Sequence, residues 1–210
     1  GARRSLADIG HDGVTEDIAF ENAQARERTK LLFNRANLTH MRGMVLGTGN
    51  MSEGAVGWCT FIGDHASHYH INCGTPKTLI RIMLDVEAAD AQKAGNSARY
   101  IALQQVIAGL ESPDLKGKKG GKATQSTEQE IGPNDLRDFF KYYVLRWGFD
   151  PRKIVYLAEK AFADKYDKAT ITKWLTKFIK MLFGSQWKRQ MCPEGPKVGS
   201  VALSPRGDLR

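Results

Sequence analysis

The sequence predicts an α/β fold that is rich in helix and has few parallel strands, and three observations carry that expectation. Met44-Val45-Leu46 is a short apolar run between Gly43 and Gly47-Thr48-Gly49-Asn50, the pattern of a buried parallel strand that ends in a turn. A helix is expected to begin near Ser52 with Glu53 in its first turn, so a strand tip, a glycine-containing turn and a helix N-terminus follow one another. Open α/β sheets place their ligands at such junctions, which singles out residues 47 to 64. The remaining long stretches space their apolar residues at helical intervals.

Taken in order, residues 1 to 14 show no periodicity and read as an irregular lead-in. From Asp17 to Asn37, Ile18, Ala25, Leu32, Phe33 and Ala36 share the chain with Arg26, Glu27, Arg28, Lys30 and Arg35, the mix of a helix with one wet face, and Thr15 suits its N-cap. Pro76 to Ala94 carries Leu79, Ile80, Ile82, Met83, Leu84 and Val86, with Pro76 placed for the first turn. Tyr100 to Leu110 reads as helix. Residues 115 to 127 carry three Gly and four Lys without periodicity and read as a mobile loop. Helices are expected over 133 to 147, 151 to 164 and 170 to 183, the last preceded by Asp167. Residues 184 to 210 form a tail rich in Pro, Gly and basic residues, and no internal repeat is present.

A length of 210 residues is about 1.4 typical domains, so one domain is the default and two the ceiling. Hydrophobic residues at 41% and charged residues at 26% exclude a wholly disordered chain. The +8 balance suits a nucleotide, a nucleic acid or an anionic membrane surface without choosing among them. No run approaches 18 apolar residues, and Gly1-Ala2-Arg3-Arg4-Ser5 leads into polar residues rather than a signal core. Cys59, Cys73 and Cys192 are widely spaced and odd in number, which argues for a reducing compartment. The expectation is a soluble, cytoplasmic protein with no membrane partner.

The chemistry-bearing residues fall into a few groups. In Gly47-Thr48-Gly49-Asn50-Met51-Ser52-Glu53, small residues let backbone amides approach a phosphate, Thr48 can hydrogen-bond it and Glu53 can hold Mg²⁺; the alternative is a plain strand-to-helix turn with Glu53 favoured by the helix dipole. Gly63-Asp64 and Pro76-Lys77-Thr78 add an acid and an amine that could close around a nucleotide, although each alone suits a solvated surface charge. His65, His68, His70 and Cys73 match no paired zinc spacing and no helical H-E-x-x-H, so they suit a polar pocket lining better than a metal site. Lys116, Lys118, Lys119 and Lys122 lack the Walker A spacing and serve solubility or a lid. Basic and aromatic residues do not interleave on one face, which argues against nucleic acid.

Glu21-Asn22-Ala23-Gln24-Ala25-Arg26, Leu46 to Glu53, Gly57-Trp58-Cys59-Thr60, Gly63-Asp64, Ser67-His68-Tyr69 and Pro76-Lys77-Thr78 together closely resemble the NAD⁺ synthetase family. Gln125-Ser126-Thr127-Glu128, Ile131-Gly132-Pro133, Asp138-Phe139 and Gly195-Pro196-Lys197-Val198 with Leu203 to Asp208 resemble its glutamine-dependent branch. The resemblance implies an adenine-nucleotide hydrolase-like, Rossmann-like synthetase domain, here partial over residues 1 to 210. It implies an ATP-dependent, Mg²⁺-dependent amidation of deamido-NAD⁺ to NAD⁺ through an adenylated intermediate, in a homo-oligomer whose ammonia comes from a glutaminase domain. By that resemblance Asp64 and Lys77 are catalytic; Thr48, Lys77 and Ser112 bind ATP; and Glu53 and Ser112 hold the metal. The deamido-NAD⁺ residues are Asn22, Arg26, Glu53 and Lys188, with Trp58, Cys59, Thr60 and Phe61 on the nicotinate side. His68 and Phe61 stand where the ammonia-dependent branch has an acid and a Lys. The family's Ser-Gly-Gly-x-Asp-Ser pyrophosphate loop does not occur in the chain, so little or no turnover is expected of these residues alone. A non-catalytic dinucleotide-binding or dimerisation module is the alternative.

Overall fold

Polar residues with short side chains cap half of the α-helices described. In the computed structural model, which describes residues 1–38, 42–109, 127–204 and 206–208, the chain opens with α1 (Ala2–Asp8) and α2 (Ile18–Leu38). Strand β1 (Leu46–Gly47) leads to α3 (Met51–Ala55), whose N-cap Asn50 accepts from the amides of Ser52 and Glu53. Strand β2 (Tyr69–His70) pairs parallel with β1, Leu46 opposite Tyr69 and Gly47 opposite His70. There follow α4 (Lys77–Lys93), α5 (Ser97–Gly109), α6 (Thr127–Ile131) and α7 (Asn134–Lys141), which runs into a π-helical turn at Tyr142–Arg146. Asp150 caps α8 (Pro151–Ala161), Asp167 caps α9 (Lys168–Gly184) by accepting from the Thr170 amide at 2.8 Å, and α10 (Gln186–Arg189) closes the helical part.

The core follows from α9. Ile171, Leu175, Phe178 and Leu182 recur every three or four residues, lie on one face and are all buried. Against them pack Leu136 and Phe140 of α7, Ile154 and Ala158 of α8, and Met51 and Ala55 of α3. The three-helix layer is thus continuous with the short helix that starts the candidate site.

Four local expectations are corrected. The lead-in is not irregular: α1 forms because Leu6 buries its side chain as α1 packs on α2. Asp17, not Thr15, caps α2 by accepting from the Phe20 amide at 2.9 Å, while Thr15 turns its hydroxyl to Asp12. The strand is not buried on both faces: Val45 and Gly47 point inward while Met44 and Leu46 are 64% and 50% exposed, the alternation of a strand with one wet side. The expected loop over 115 to 127 ends on Thr127, which is buried and begins α6, and its other residues lie outside the described ones.

Among the described residues, the tail after α10 has no regular secondary structure and is nonetheless built into the fold. The His70 amide donates to the Glu194 carbonyl at 2.8 Å, the Leu203 amide to the Cys73 carbonyl at 3.0 Å, and Val201, Ala202 and Leu203 are buried. A Cβ on Gly195 would overlap the His70 carbonyl oxygen, so this close passage requires glycine.

Phe178→Ala is expected to remove about 3–5 kcal/mol of stability, because the hole it leaves is walled by helices that cannot collapse. Urea unfolding followed by far-UV circular dichroism should show a lower midpoint; an unchanged midpoint would place the core elsewhere.

Candidate functional site

The turn between β1 and α3 is shaped from beneath by His70. Its Nε2–H donates to the Gly49 carbonyl at 2.8 Å. A Cβ on Gly49 would lie 3.2 Å from that nitrogen and one on Gly47 2.6 Å from Ser67 Oγ, so the turn is close-packed where it carries glycine. Thr48 stands exposed at its outer side. With Asn50 capping α3, Glu53 is presented from the first turn, and its Oε1 accepts from Lys77 Nζ at 2.9 Å. Lys77 is the first residue of α4, so the two helix starts face each other through this pair.

A second cluster forms between α2, residues 57 to 61 and α10. Asn22 Oδ1 accepts from Thr60 Oγ1 at 2.9 Å, and Arg26 Nε donates to the Phe61 carbonyl at 3.2 Å. Lys188 Nζ donates to the carbonyls of Gly57 at 2.9 Å and Cys59 at 2.7 Å. The neighbouring Arg189 delivers it: buried, it donates to the Ala55 carbonyl and Ser185 Oγ, both at 2.7 Å, and so fastens α10 to the end of α3. Gly57 has φ +64° and sits against Ser185, leaving no room for a side chain. The Phe61 ring packs on Trp187 at 4.9 Å and on His65 at 5.4 Å, forming an aromatic shelf beside Lys188. The Trp58 amide donates to the Glu53 carbonyl at 3.0 Å, which joins this cluster to the first.

Two hollows border these groups. One of about 710 Å³ lies between α1, α2 and the turn near Ile62, and Asn22 and Arg26 line it. The other, about 210 Å³, is lined by Lys77, Thr78, Arg81, Asp135 and Lys165 among others. They share no lining residue, and of the expected substrate residues Asn22 and Arg26 line the first and Lys77 the second.

Behind Lys77 lies a buried polar knot from α3, α4 and α7. Asp138 Oδ2 accepts from Thr78 N at 3.1 Å and Thr78 Oγ1 at 2.7 Å; its Oδ1 accepts from Ser52 Oγ and from Lys141 Nζ at 2.6 Å. Lys141 Nζ also donates to Ser52 Oγ at 3.1 Å, and that oxygen accepts the Lys77 amide at 2.8 Å. Burial alone would push the Asp138 carboxyl up, but Lys141 and the hydrogen bonds hold it below the ordinary carboxylate value. Burial pushes Lys141 down from its ordinary value, with Asp138 opposing. Next to Asp138 in the chain, Arg137 is 1% exposed; it donates to Asn134, while its Nε and Nη1 have no acceptor among the described residues. In the sequence Asp138 stands out only as part of a motif, and Ser52, Lys141 and Arg137 do not stand out as site residues; Lys141, three residues after Asp138 on a helix, was the available signal.

The other expected residues separate clearly. Asp64 is exposed, its Oδ1 accepting from the Thr60 amide at 2.7 Å. Burial, then the nearby Asp64 charge, pushes the Cys59 thiol up to about 12, so it stays protonated. His65 and His68 accept from the amides of Ile62 and Val45 through Nδ1, and with His70 they brace loops. Among the described residues no three His, Cys, Asp or Glu are grouped to hold a metal ion. A single carboxylate such as Glu53 fits Mg²⁺ that arrives on a polyphosphate, since that ion takes most of its ligands from phosphate and water. Ser112 lies outside the described residues.

The fold is of the synthetase class. It matches 99% of this chain to 30% of a crystal structure of a glutamine-dependent NAD(+) synthetase from Cytophaga hutchinsonii, with a TM-score of 0.70 at 22% identity. Residues 3–82 match the family model for NAD synthase. The glutamine-dependent NAD(+) synthetase of Mycobacterium leprae is 40% identical over 228 residues, covering 98% of this chain and 33% of that protein. The one from Mycobacterium tuberculosis is 41% identical over 235 residues, covering 100% of this chain and 33% of that protein. The chain is similar along its length to these NAD(+) synthetases, and it spans about a third of the length of the curated relatives it matches.

Two measurements follow from the buried groups. Asp138 titrates lower in the folded than in the unfolded chain, so the stability it contributes is complete above the unfolded value of about 3.9 and drains away as pH falls through the folded value. The stability difference between the native chain and Asp138→Asn should therefore shrink as the pH of urea titrations drops below about 4. Arg137→Met removes two buried donors that have no acceptor among the described residues, a burial that costs about 1–3 kcal/mol each. Its thermal midpoint is expected to match or exceed that of the native chain, and a fall of more than about 4 °C would show that the guanidinium is needed for the fold.

Proposed function

We propose that this chain supplies synthetase residues for the ATP-dependent amidation of deamido-NAD⁺ to NAD⁺, with ammonia released from glutamine by a separate glutaminase domain. The observation that carries the reading is the Lys77–Glu53 pair at 2.9 Å, set beside the Asn22, Arg26 and Lys188 cluster in a chain 40–41% identical through its length to such synthetases.

The reaction needs no protein nucleophile. An oxygen of the nicotinate carboxylate attacks the α-phosphorus of ATP and pyrophosphate leaves; ammonia then attacks the acyl carbon and AMP leaves with the bond's electron pair. What the protein must provide is orientation and charge, which dominate the catalysis of such reactions. Lys77 carries a fixed cation to the polyphosphate, and Thr48 offers a hydroxyl from the turn before α3. Glu53 would hold Mg²⁺, which on binding neutralises phosphate charge and favours departure of pyrophosphate. Asn22, Arg26 and Lys188 bind the dinucleotide, and the aromatic shelf of Phe61 and Trp187, next to Trp58, Cys59 and Thr60, receives the nicotinate ring. Asp64, exposed beside that turn, takes a proton from the incoming ammonium. Ser112 completes the ATP and metal contacts.

The setting is the cytoplasm, supported by three cysteines that are all free, and among the described residues no helix is long and apolar enough to cross a membrane. A homo-oligomer is supported by exposed Ile82, Met83 and Val86 on α4 and Ile101 and Val106 on α5.

The test is NAD⁺ formation from deamido-NAD⁺, ATP, Mg²⁺ and ammonia by the protein that carries this chain. Lys77→Met is expected to lower kcat/KM for ATP by about 10²–10³-fold, the usual loss when a preorganised charge donor is removed. Absence of NAD⁺ with the native sequence would refute the assignment.

A further inference from the structure

A helix start leaves its first amides without partners, and α4 has no local remedy, because its N-cap is Pro76, which makes no side-chain capping bond. Its first two amides are instead satisfied by other elements: Lys77 N donates to Ser52 Oγ of α3 at 2.8 Å, and Thr78 N to Asp138 Oδ2 of α7 at 3.1 Å. A carboxylate is favoured at the positive end of a helix dipole. At this place, however, a bare carboxylate would also repel an approaching polyphosphate. Lys141 removes that conflict: 4% exposed, it lies 2.6 Å from Asp138 and also holds Ser52 at 3.1 Å.

We propose that Asp138 and Lys141 are a positioning pair for Lys77, capping α4 from α7 while cancelling the capping charge. The inference rests on the reading above, in which Lys77 meets the phosphates. With its amide seated on Ser52, Lys77 starts from a fixed backbone and its Nζ reaches Glu53 at 2.9 Å. Glu53 is fixed from the other side, its amide donating to Asn50 at 3.1 Å. A lysine held in this way has lost most of its rotamer freedom before ligand arrives, and that preorganisation tightens binding without any new contact. Neither Asp138 nor Lys141 needs to touch substrate for this.

The test compares Asp138→Ala, Lys141→Met and the milder Ser52→Ala in the full chain, with Phe178→Leu as a control that loosens the apolar core but leaves the hydrogen bonds of Asp138, Lys141 and Ser52 in place. Lysine acetylation followed by mass spectrometry reads the freedom of Lys77 directly, with Lys30, whose side chain is 58% exposed, as internal reference. The expected result is acetylation of Lys77 about fivefold faster in the three variants, with Lys30 and the control unchanged. Calorimetry with Mg²⁺ and ATP should give a Kd about tenfold weaker in each variant, while that for deamido-NAD⁺ stays put. Native-rate acetylation of Lys77 in every variant that folds would overturn the proposal, as would equal acceleration in the control, which marks a merely structural role. If the native chain binds no ATP, the functional reading fails, whereas the acetylation rates still decide whether the pair positions Lys77.

Discussion

Asp138 receives hydrogen bonds from Ser52, both donors of Thr78 and Lys141, so one carboxylate holds α3, α4 and α7 together. Taking a carboxylate and an ammonium out of water costs several kcal/mol per ion, and their mutual attraction returns that only if the remaining lone pairs and protons are also satisfied. Here Ser52 supplies the missing member: its hydroxyl donates to Asp138 and accepts from Lys77 N and Lys141. Replacing such a pair whole by apolar residues of similar volume is often neutral or stabilising, whereas removing one partner leaves a buried charge uncompensated. An apolar substitute could pack the same space, but it could not fix where α4 begins.

The second constraint is the return of the chain's end to its middle. Arg189 reaches the Ala55 carbonyl, Lys188 the Gly57 and Cys59 carbonyls, and the tail docks on His70 and Cys73 through Glu194 and Leu203. These contacts join residues more than a hundred positions apart in sequence, and each satisfies a backbone group of the chain's middle. The aromatic shelf, in which Phe61 packs on Trp187 of α10, is therefore complete only with the C-terminal segment docked. Glycine at 57 and 195 records the closeness of that docking.

Helices were readable wherever apolar residues repeat along one face. α9 is the clearest case: Asp167 marks its start and four buried side chains mark its inner stripe. α2, α4 and α8 began within two residues of where pattern and capping residues put them. α1 was not readable, since Leu6 is a single anchor and has meaning only against α2. The strand at Leu46 was readable, but its partner was not: Tyr69-His70 carries two residues of strand inside a run of turns, with no alternation to detect.

The candidate site divides along the same line. Residue types, their order and the spacing of glycine around Thr48 are properties of the chain, because local backbone conformation and covalent reach are set by neighbours in sequence. The meeting of Glu53 with Lys77, of Asn22 with Thr60, and of Lys188 with Gly57 is not, and neither is the buried seat built from Ser52, Asp138 and Lys141. Those partners come from different elements, and the strength of a charge or hydrogen bond depends on the dielectric and the geometry around it, which come into being only when the helices pack.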